Sequence, residues 1–209
     1  MRLILLGAPG SGKGTQAEHL SKRLNAPAIS TGQMLREAIA AGSELGKAAK
    51  GYVESGGLVP DEIIINLIKV RIDESDCKDG FILDGFPRTV IQAEVLDSAV
   101  GIDVVLSFEI ADEEIMQRMC GRRVCPKCGM SYHNEYRKPT KDGTCDECTT
   151  ALIRRVDDEP ETVRVRLSTY HENTASLKEY YEKIGKLKRV KSCDKIEDTT
   201  AACLAVLGL

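Results

Sequence analysis

The sequence predicts an α/β fold built around a doubly wound parallel β-sheet, and three observations support this prediction. Short runs that are almost wholly apolar recur at residues 2–6, 81–83 and 104–108, as expected of strands buried on both faces. The segments between these runs are long enough for helices, and Asp61 is placed to act as the N-cap of a helix over residues 61–71. Strands that alternate with helices indicate a parallel sheet covered by helices.

The bulk composition fits one substantial core, since the chain has 209 residues and 42% of them are hydrophobic. Its net charge is −3, with 29 Lys+Arg against 32 Asp+Glu, which argues against a general nucleic-acid or anionic-membrane partner. No stretch approaches the roughly 20 apolar residues that a membrane helix needs. The apolar run at residues 1–6 is too short for a signal peptide. We therefore expect a cytoplasmic protein whose cysteines are reduced thiols or metal ligands.

A glycine-rich segment follows the first predicted strand and opens a helix. Glycines let successive backbone N–H groups point at phosphate oxygens, and the helix N-terminus adds partial positive charge. Lys13 supplies a full charge for the β- and γ-phosphates of a nucleotide. A strict Walker A motif has Ser or Thr directly after this lysine, whereas here Gly14 stands there and Thr15 follows. The motif predicts a phosphate-binding P-loop, and a plain glycine-rich turn is the alternative.

Helical periodicity fails between residues 121 and 158, where two Cys-x-x-Cys pairs lie sixteen residues apart. Four thiolates satisfy a closed tetrahedral zinc site, which is structural because no coordination position is left for a substrate. Such a small segment cannot build a sufficient core, and a metal would replace the missing burial. Disulfides, or iron or cobalt in place of zinc, are the alternatives. The four predicted ligands are Cys125, Cys128, Cys145 and Cys148.

A long helix is predicted after this insertion, because apolar positions recur in steps of four and three. The positions expected to share one buried helical face are Val163, Leu167, Tyr170, Thr174, Leu177, Tyr181 and Ile184.

Five motifs, read in order, resemble those of the adenylate kinase family, in its bacterial-type long-lid form with a zinc-binding lid. They are GAPGSGKGTQA at residues 7–17, STGQMLR at 30–36, DGFPRT at 84–89, GRR at 121–123 and RVDD at 155–158. The match extends to at least Arg166, in the family's order and approximate spacing. The resemblance implies a P-loop core at residues 1–29, 60–120 and 159–209, with an AMP-binding helical module at 30–59 and a lid at 121–158. It also implies the Mg²⁺-dependent reaction ATP + AMP ⇌ 2 ADP. The oligomeric state is open, and a monomer is the default expectation.

The resemblance further assigns site residues, and the chemistry is consistent with them because phosphoryl transfer depends on positioning and charge neutralisation. The expected catalytic residues are Lys13, Arg88, Arg122, Arg155 and Arg166. The expected ATP contacts are Gly10, Ser11, Gly12, Lys13, Gly14, Thr15, Arg118 and Arg122. The expected AMP contacts are Thr31, Arg36, Gly57, Leu58, Val59, Gly85, Arg88, Gln92, Arg155 and Arg166.

Five acidic or amide positions are interpreted more specifically. Asp84 ends a predicted strand beside the P-loop, where it would hold Mg²⁺ through water, or else cap a turn before the next residue. The amide of Gln92 would pair with an adenine edge, or else be an ordinary exposed helix residue. Asp157 and Asp158 would orient the arginines, or else join a solvated cluster of salt bridges. Gln33 stands where many relatives in the family carry Asp. The role that this carboxylate has in the family is therefore not expected here.

Two rival functions remain open at this point. A kinase for another nucleoside monophosphate would use the same fold, although Thr31, Gln92 and the long lid favour AMP. A zinc-ribbon binding module joined to a regulatory ATPase would instead hydrolyse ATP without an acceptor nucleotide.

Overall fold

A computed structural model describes residues 1–193 and 195–209 of the chain. Over these residues the strands are β1 (Arg2–Gly7), β2 (Ala28–Ser30), β3 (Phe81–Asp84), β4 (Val104–Glu109), β5 (Arg122–Val124), β6 (Ser131–His133) and β7 (Leu187–Lys191). The α-helices are α1 (Lys13–Leu24), α2 (Thr31–Ala40), α3 (Glu44–Ser55), α4 (Asp61–Ile72), α5 (Val90–Ala99), α6 (Asp112–Cys120), α7 (Pro160–Thr169), α8 (Ser176–Lys183) and α9 (Ile196–Leu207). None of the helices in the described ranges combines the length and apolar character that a membrane crossing requires.

The central sheet is parallel, with strand order β2-β3-β1-β4-β7, and confirms the predicted fold class. The three apolar runs form β1, β3 and β4, which lie in the middle of the sheet and are buried on both faces. β2 and β7 form the two edges. Their sequences gave no strand signal, because β2 has only three residues and β7 buries only Val190 among charged neighbours. Helices pack on both faces and enclose two separate apolar clusters.

The predicted N-cap of α4 is wrong. Pro60 occupies the cap position, and its carbonyl accepts hydrogen bonds from the N–H groups of Ile63 and Ile64. Asp61 is instead the first residue of the helix. Its carboxylate accepts hydrogen bonds from Thr89 and Gln92 at the start of α5, 3.2 and 2.6 Å away. The side chain is therefore held by a neighbouring helix and does not close the end of its own.

The predicted helix after the insertion is present, although it contains one wide turn. α7 continues through a π-helical turn, in which the N–H of Ala175 donates to the carbonyl of Tyr170, and then into α8. The predicted apolar face is buried from Val163 to Tyr181. Ile184 is the exception and that part of the prediction is wrong: it caps the end of α8 and is 44% exposed.

Close packing of α2 against α3 depends on Gly46, and replacing it by alanine is expected to destabilise the protein. A Cβ at this position would overlap the backbone carbonyl of Ala38, which cannot move without shifting α2. We expect Gly46→Ala to lower the free energy of unfolding by about 1–3 kcal/mol, measured by urea denaturation. Gly51→Ala is the matched control on the same helix, where open space and better helix propensity predict a gain of about 0.5–1 kcal/mol. Equal effects of the two variants would contradict the packing argument.

Candidate active site and metal centre

Two adjoining pockets lie at the carboxyl ends of the parallel strands, the edge at which α/β sheets bind ligands. The larger has a volume of about 610 Å³ and the smaller about 50 Å³. All the residues expected to contact ATP line the larger pocket, together with Asp84 and Arg155. Thr31, Gly57, Val59 and Gln92 line the smaller. The remaining expected AMP contacts line both pockets: Arg36, Leu58, Gly85, Arg88 and Arg166.

The P-loop connects β1 to α1 with two glycines in the left-handed region, Gly10 at φ 78° and Gly12 at φ 93°. The Lys13 ammonium donates to the carbonyls of Gly7 and Ala8, both 2.7 Å away, which folds this side chain back over the loop. Burial lowers the pKa of Lys13 to about 8; Asp84 opposes this effect, whereas the nearby arginines add to it. An anionic ligand bound in the loop would raise the pKa of Lys13 again.

Asp84 ends β3 beside the start of α1. In the sheet register it pairs with Leu5 of β1, and its carboxylate lies 3.4 Å from the point where a Cβ at Gly14 would stand. The chain therefore holds a carboxylate, the ligand type that a hydrated Mg²⁺ ion prefers, directly beside the P-loop.

Two buried carboxylates hold two of the predicted catalytic arginines. Arg122 forms a two-bond pair with Asp158, whose side chain is fully buried. Arg166 donates to Asp157 at 2.6 Å and lies 3.5 Å from Asp158. Burial alone would raise the pKa of Asp157, but the charges of Arg166 and the other surrounding arginines outweigh it and lower that pKa. Because the carboxylates are buried, the alternative of a solvated surface cluster is wrong.

The cleft carries more positive charge than its carboxylates neutralise. Arg155 has a buried Nε atom with no hydrogen-bond partner among the described residues. Burial, followed by repulsion from Arg122 and Arg36, lowers the pKa of Arg155 to about 9. Burial also lowers the pKa of Arg36 and of Arg88. Such a concentration of planar cations suits a ligand with several phosphate groups.

Hydrogen bonds within the protein fix the polar groups of the smaller pocket. Thr31 Oγ1 and Arg88 Nε both donate to the carbonyl of Gly85 at 2.9 Å. The Gln92 side chain is 1% exposed, accepts from the backbone N–H of Arg88 at 2.7 Å and donates to Asp61. An ordinary exposed glutamine is therefore excluded at this position. Its amide is held in one orientation at the pocket wall.

Among the residues that line the larger pocket, Tyr136, Ser192 and Cys193 were not assigned to it from the sequence. The guanidinium of Arg118 lies 5.7 Å from the ring centroid of Tyr136 and donates to the carbonyl of Cys193 at 3.4 Å. Ser192 donates to the P-loop carbonyl of Ser11 at 2.9 Å. Ser192 and Cys193 directly follow β7, so recognising that strand would have located them, since parallel strands end at the ligand-binding edge.

The four predicted cysteine ligands form one cluster, with all Sγ atoms within 4.8 Å of one another. The sulfur–sulfur distances are 3.3 Å for Cys125–Cys148, 3.5 Å for Cys128–Cys145 and 3.7 Å for Cys128–Cys148. A tetrahedron with metal–sulfur bonds of about 2.3 Å has edges of about 3.8 Å. Disulfides, at about 2.05 Å, are excluded by these separations, and all four thiols are free. The cluster is compatible with a structural metal ion.

The segment that carries this cluster lies against α2 and lines the larger pocket. β5 and β6 form an antiparallel hairpin beside the cysteines. Gly129 has φ 76°, and the amide of Gln33 on α2 occupies the space that a Cβ at Gly129 would need. This part of the chain therefore covers the cleft in which the arginines meet.

Replacing Asp158 by asparagine is expected to destabilise the folded chain, because it would leave Arg122 buried without its countercharge. We expect Asp158→Asn to lower the free energy of unfolding by about 3 kcal/mol, measured by urea denaturation. Glu161→Gln is the control: its pair with Arg164 is exposed, with side chains 85% and 61% accessible, and its loss should change stability by less than about 0.5 kcal/mol. If Asp158→Asn changed the free energy of unfolding only slightly, water would already screen the charges of Arg122 and Asp158 from each other.

Comparison with known proteins agrees with this geometry. A model of the family described as "Adenylate kinase" matches residues 5–186. The chain is 53% identical over 214 residues to the adenylate kinase of Caldicellulosiruptor bescii, with 100% of both chains covered. It is 53% identical over 213 residues to that of Acetivibrio thermocellus, covering 100% of this chain and 98% of the relative. With Moorella thermoacetica the identity is 46% over 213 residues, with 100% and 98% covered. Since both the family model and full-length relatives match, the chain belongs to the adenylate kinase family.

Proposed function

We propose that the chain transfers a phosphoryl group reversibly between Mg·ATP and AMP, giving two ADP, and so balances the adenine nucleotide pool. The observation that carries this proposal is the pair of adjoining pockets, which share Arg36, Arg88 and Arg166. A donor with three phosphates and an acceptor with one would meet where those arginines lie. Phosphoryl transfer needs little more than this alignment and neutralisation of spread negative charge.

The donor nucleotide would take the larger pocket. Backbone N–H groups of the P-loop, from Gly10 to Thr15, would hold its phosphates, and Lys13 would turn from its carbonyl partners toward them. Arg122 would stabilise charge on the transferring group. Arg118 would pack on the adenine, a contact that its place opposite Tyr136 supports.

The acceptor would take the smaller pocket, with its phosphate between Arg36 and Arg88. Thr31, Gln92 and the backbone at residues 57–59 and 85 would surround its nucleoside. Arg155 and Arg166 would lie between the two nucleotides, because both line the larger pocket and Arg166 also lines the smaller. These roles make Lys13, Arg88, Arg122, Arg155 and Arg166 the catalytic set.

Two metals belong to the proposal. Asp84 would hold the Mg²⁺ of Mg·ATP through water, which fits its carboxylate beside the P-loop. When bound, this ion would neutralise phosphate charge. In the second site the four cysteines would hold Zn²⁺, favoured over iron or cobalt by its availability and because no redox chemistry is needed.

The domain division proposed is a P-loop core at residues 1–29, 60–120 and 159–209, an AMP module at 30–59 and a lid at 121–158. The two inserted segments coincide with α2–α3 and with the β5–β6 hairpin and its cysteines. Lid closure would exclude water, which competes as an acceptor; adenylate kinases are themselves a familiar example of such lid motion. We further propose a cytoplasmic monomer with no nucleic-acid or membrane partner.

A coupled assay for ADP formation from Mg·ATP tests the proposal, with AMP, UMP, CMP, GMP and dTMP offered separately and a control without acceptor. Turnover with AMP far above the others is expected. Preference for another monophosphate would keep the fold and the arginines but overturn the roles of Thr31 and Gln92. Hydrolysis at the same rate without an acceptor would overturn phosphoryl transfer and favour a regulatory ATPase.

A further inference from the structure

One ion pair joins the lid to the helix that carries the P-loop lysine. Arg137, which follows β6, donates to the carboxylate of Glu18 on α1 at 3.2 Å. The two side chains are 26% and 27% exposed, so water screens the pair less than it screens a fully exposed one. Glu18 lies on the same helix as Lys13, and both Glu18 and Arg137 line the larger pocket. The pair therefore spans the boundary that must open when nucleotides leave.

Arg137 is held firmly on the lid side. Its carbonyl accepts from the backbone N–H of His133 at 2.8 Å, and its guanidinium lies 5.8 Å from the ring centroid of Tyr132. Tyr132 is 4% exposed, and its hydroxyl donates to Cys145 Sγ at 3.5 Å and accepts from the backbone N–H of Asp146 at 2.8 Å. A continuous set of contacts thus runs from the cysteine cluster through Tyr132 to the Arg137 guanidinium.

On the core side, ion pairs likewise hold the Glu18 carboxylate in place. It also forms a pair with Lys22, one helical turn later at 3.3 Å, but that lysine is 77% exposed and belongs to α1 itself. Burial by itself would raise the pKa of Glu18; the hydrogen bond and charge of Arg137, followed by those of Lys22, outweigh it and lower that pKa. The carboxylate is therefore charged at neutral pH, and only one of its two partners belongs to the lid.

We infer that Arg137 is a positioning residue that holds the lid closed over the larger pocket, where ATP would bind, by pairing with Glu18. Lys13 on α1 and Arg122 on the lid would both contact the triphosphate in the proposed reaction. A contact that joins these two elements keeps both charges on the nucleotide and slows opening. The inference rests on the proposed function only for its kinetic readout, because the distance between lid and core can be measured without turnover.

The kinetic test uses a double-mutant cycle of Glu18→Gln, Arg137→Gln and the two together. We expect each single variant to raise KM for ATP about threefold, the scale of a half-buried ion pair, with kcat unchanged or higher because the lid opens more readily. The double variant should be no worse than either single variant. Arg137→Lys should restore part of the loss, and Lys22→Gln, which removes only the exposed partner, should behave like the unmodified protein.

The structural test measures energy transfer between fluorescent amino acids placed at Arg23 on α1 and Lys141 in the lid, both exposed. Without nucleotide, Arg137→Gln should lengthen and broaden this distance, whereas Lys22→Gln should leave it unchanged. The inference would be overturned if the effects of Glu18→Gln and Arg137→Gln on KM for ATP were additive. It would also be overturned if Arg137→Gln left the measured distance unchanged. If the protein showed no phosphoryl transfer between ATP and AMP, the proposed function would be overturned. The distance measurement would then decide the inference about Arg137 by itself.

Discussion

Replacing Lys13 by methionine is expected to lower kcat/KM for ATP by about 10²–10³-fold, the loss seen when one charge-stabilising donor is removed from an active site. The substitution keeps the length of the side chain and removes its charge from the P-loop. The chain should still fold well, because without nucleotide the ammonium is buried among arginines and its charge is disfavoured. Steady-state kinetics with varied ATP would measure the loss. Lys22→Met, on the exposed side of the same helix, is the control and should lose less than about twofold.

The lowered pKa of Lys13 gives a second readout for the same variant. With a pKa of about 8 in the free protein, this group is about half deprotonated at pH 8, and bound phosphates would raise that pKa. ATP binding near pH 8–9 should therefore take up protons, which calorimetry in buffers of different ionisation enthalpy detects. Lys13→Met should remove most of the uptake at pH 8, whereas uptake that remains near pH 9 would come from Arg155, whose pKa is about 9. Unchanged uptake, or activity within tenfold of the unmodified protein, would show that Lys13 does not hold the phosphates.

If the four cysteines hold Zn²⁺ as proposed, its removal is expected to unfold the lid while the sheet remains folded. The apolar cluster of the lid consists of two of the cysteines and Tyr132, with three partly buried neighbours, so little else holds it together. The central sheet has its own clusters and does not depend on the metal. Treatment with a chelator, or Cys148→Ser, should abolish most of the activity, because Arg122 and Arg155 lie at the two ends of the lid.

Two measurements separate lid unfolding from global unfolding. Amide hydrogen exchange should become fast over residues 121–158 and remain slow in β1, β3 and β4. Metal analysis should find one bound zinc per chain before treatment. Cys120→Ser, at a cysteine outside the cluster, is the control and should retain both zinc and activity. Slow exchange in the lid after complete metal loss would mean that its own packing suffices.

The sequence by itself determined the features whose signals are local along the chain. The P-loop is one strand–turn–helix segment, and the central strands are recognisable from runs of adjacent apolar residues. The cysteine cluster was predictable because each Cys-x-x-Cys pair is a short motif that is visible in the sequence. The fold then has to bring only these two pairs together to form one four-thiol site. The helix after the insertion was predicted from its periodicity, and only its last apolar position, Ile184, was misassigned.

The tertiary structure alone decided which partner each polar side chain takes. Asp61 satisfies the rule for a helix cap, yet its carboxylate bonds to Gln92, 31 residues later along the chain. The Glu18–Arg137 pair joins residues 119 positions apart, and nothing near either residue indicates the other. β7 has no apolar run of its own and becomes a strand by pairing with β4. Such contacts form only after distant segments have packed, because hydrogen bonds and ion pairs are directional and depend on final positions.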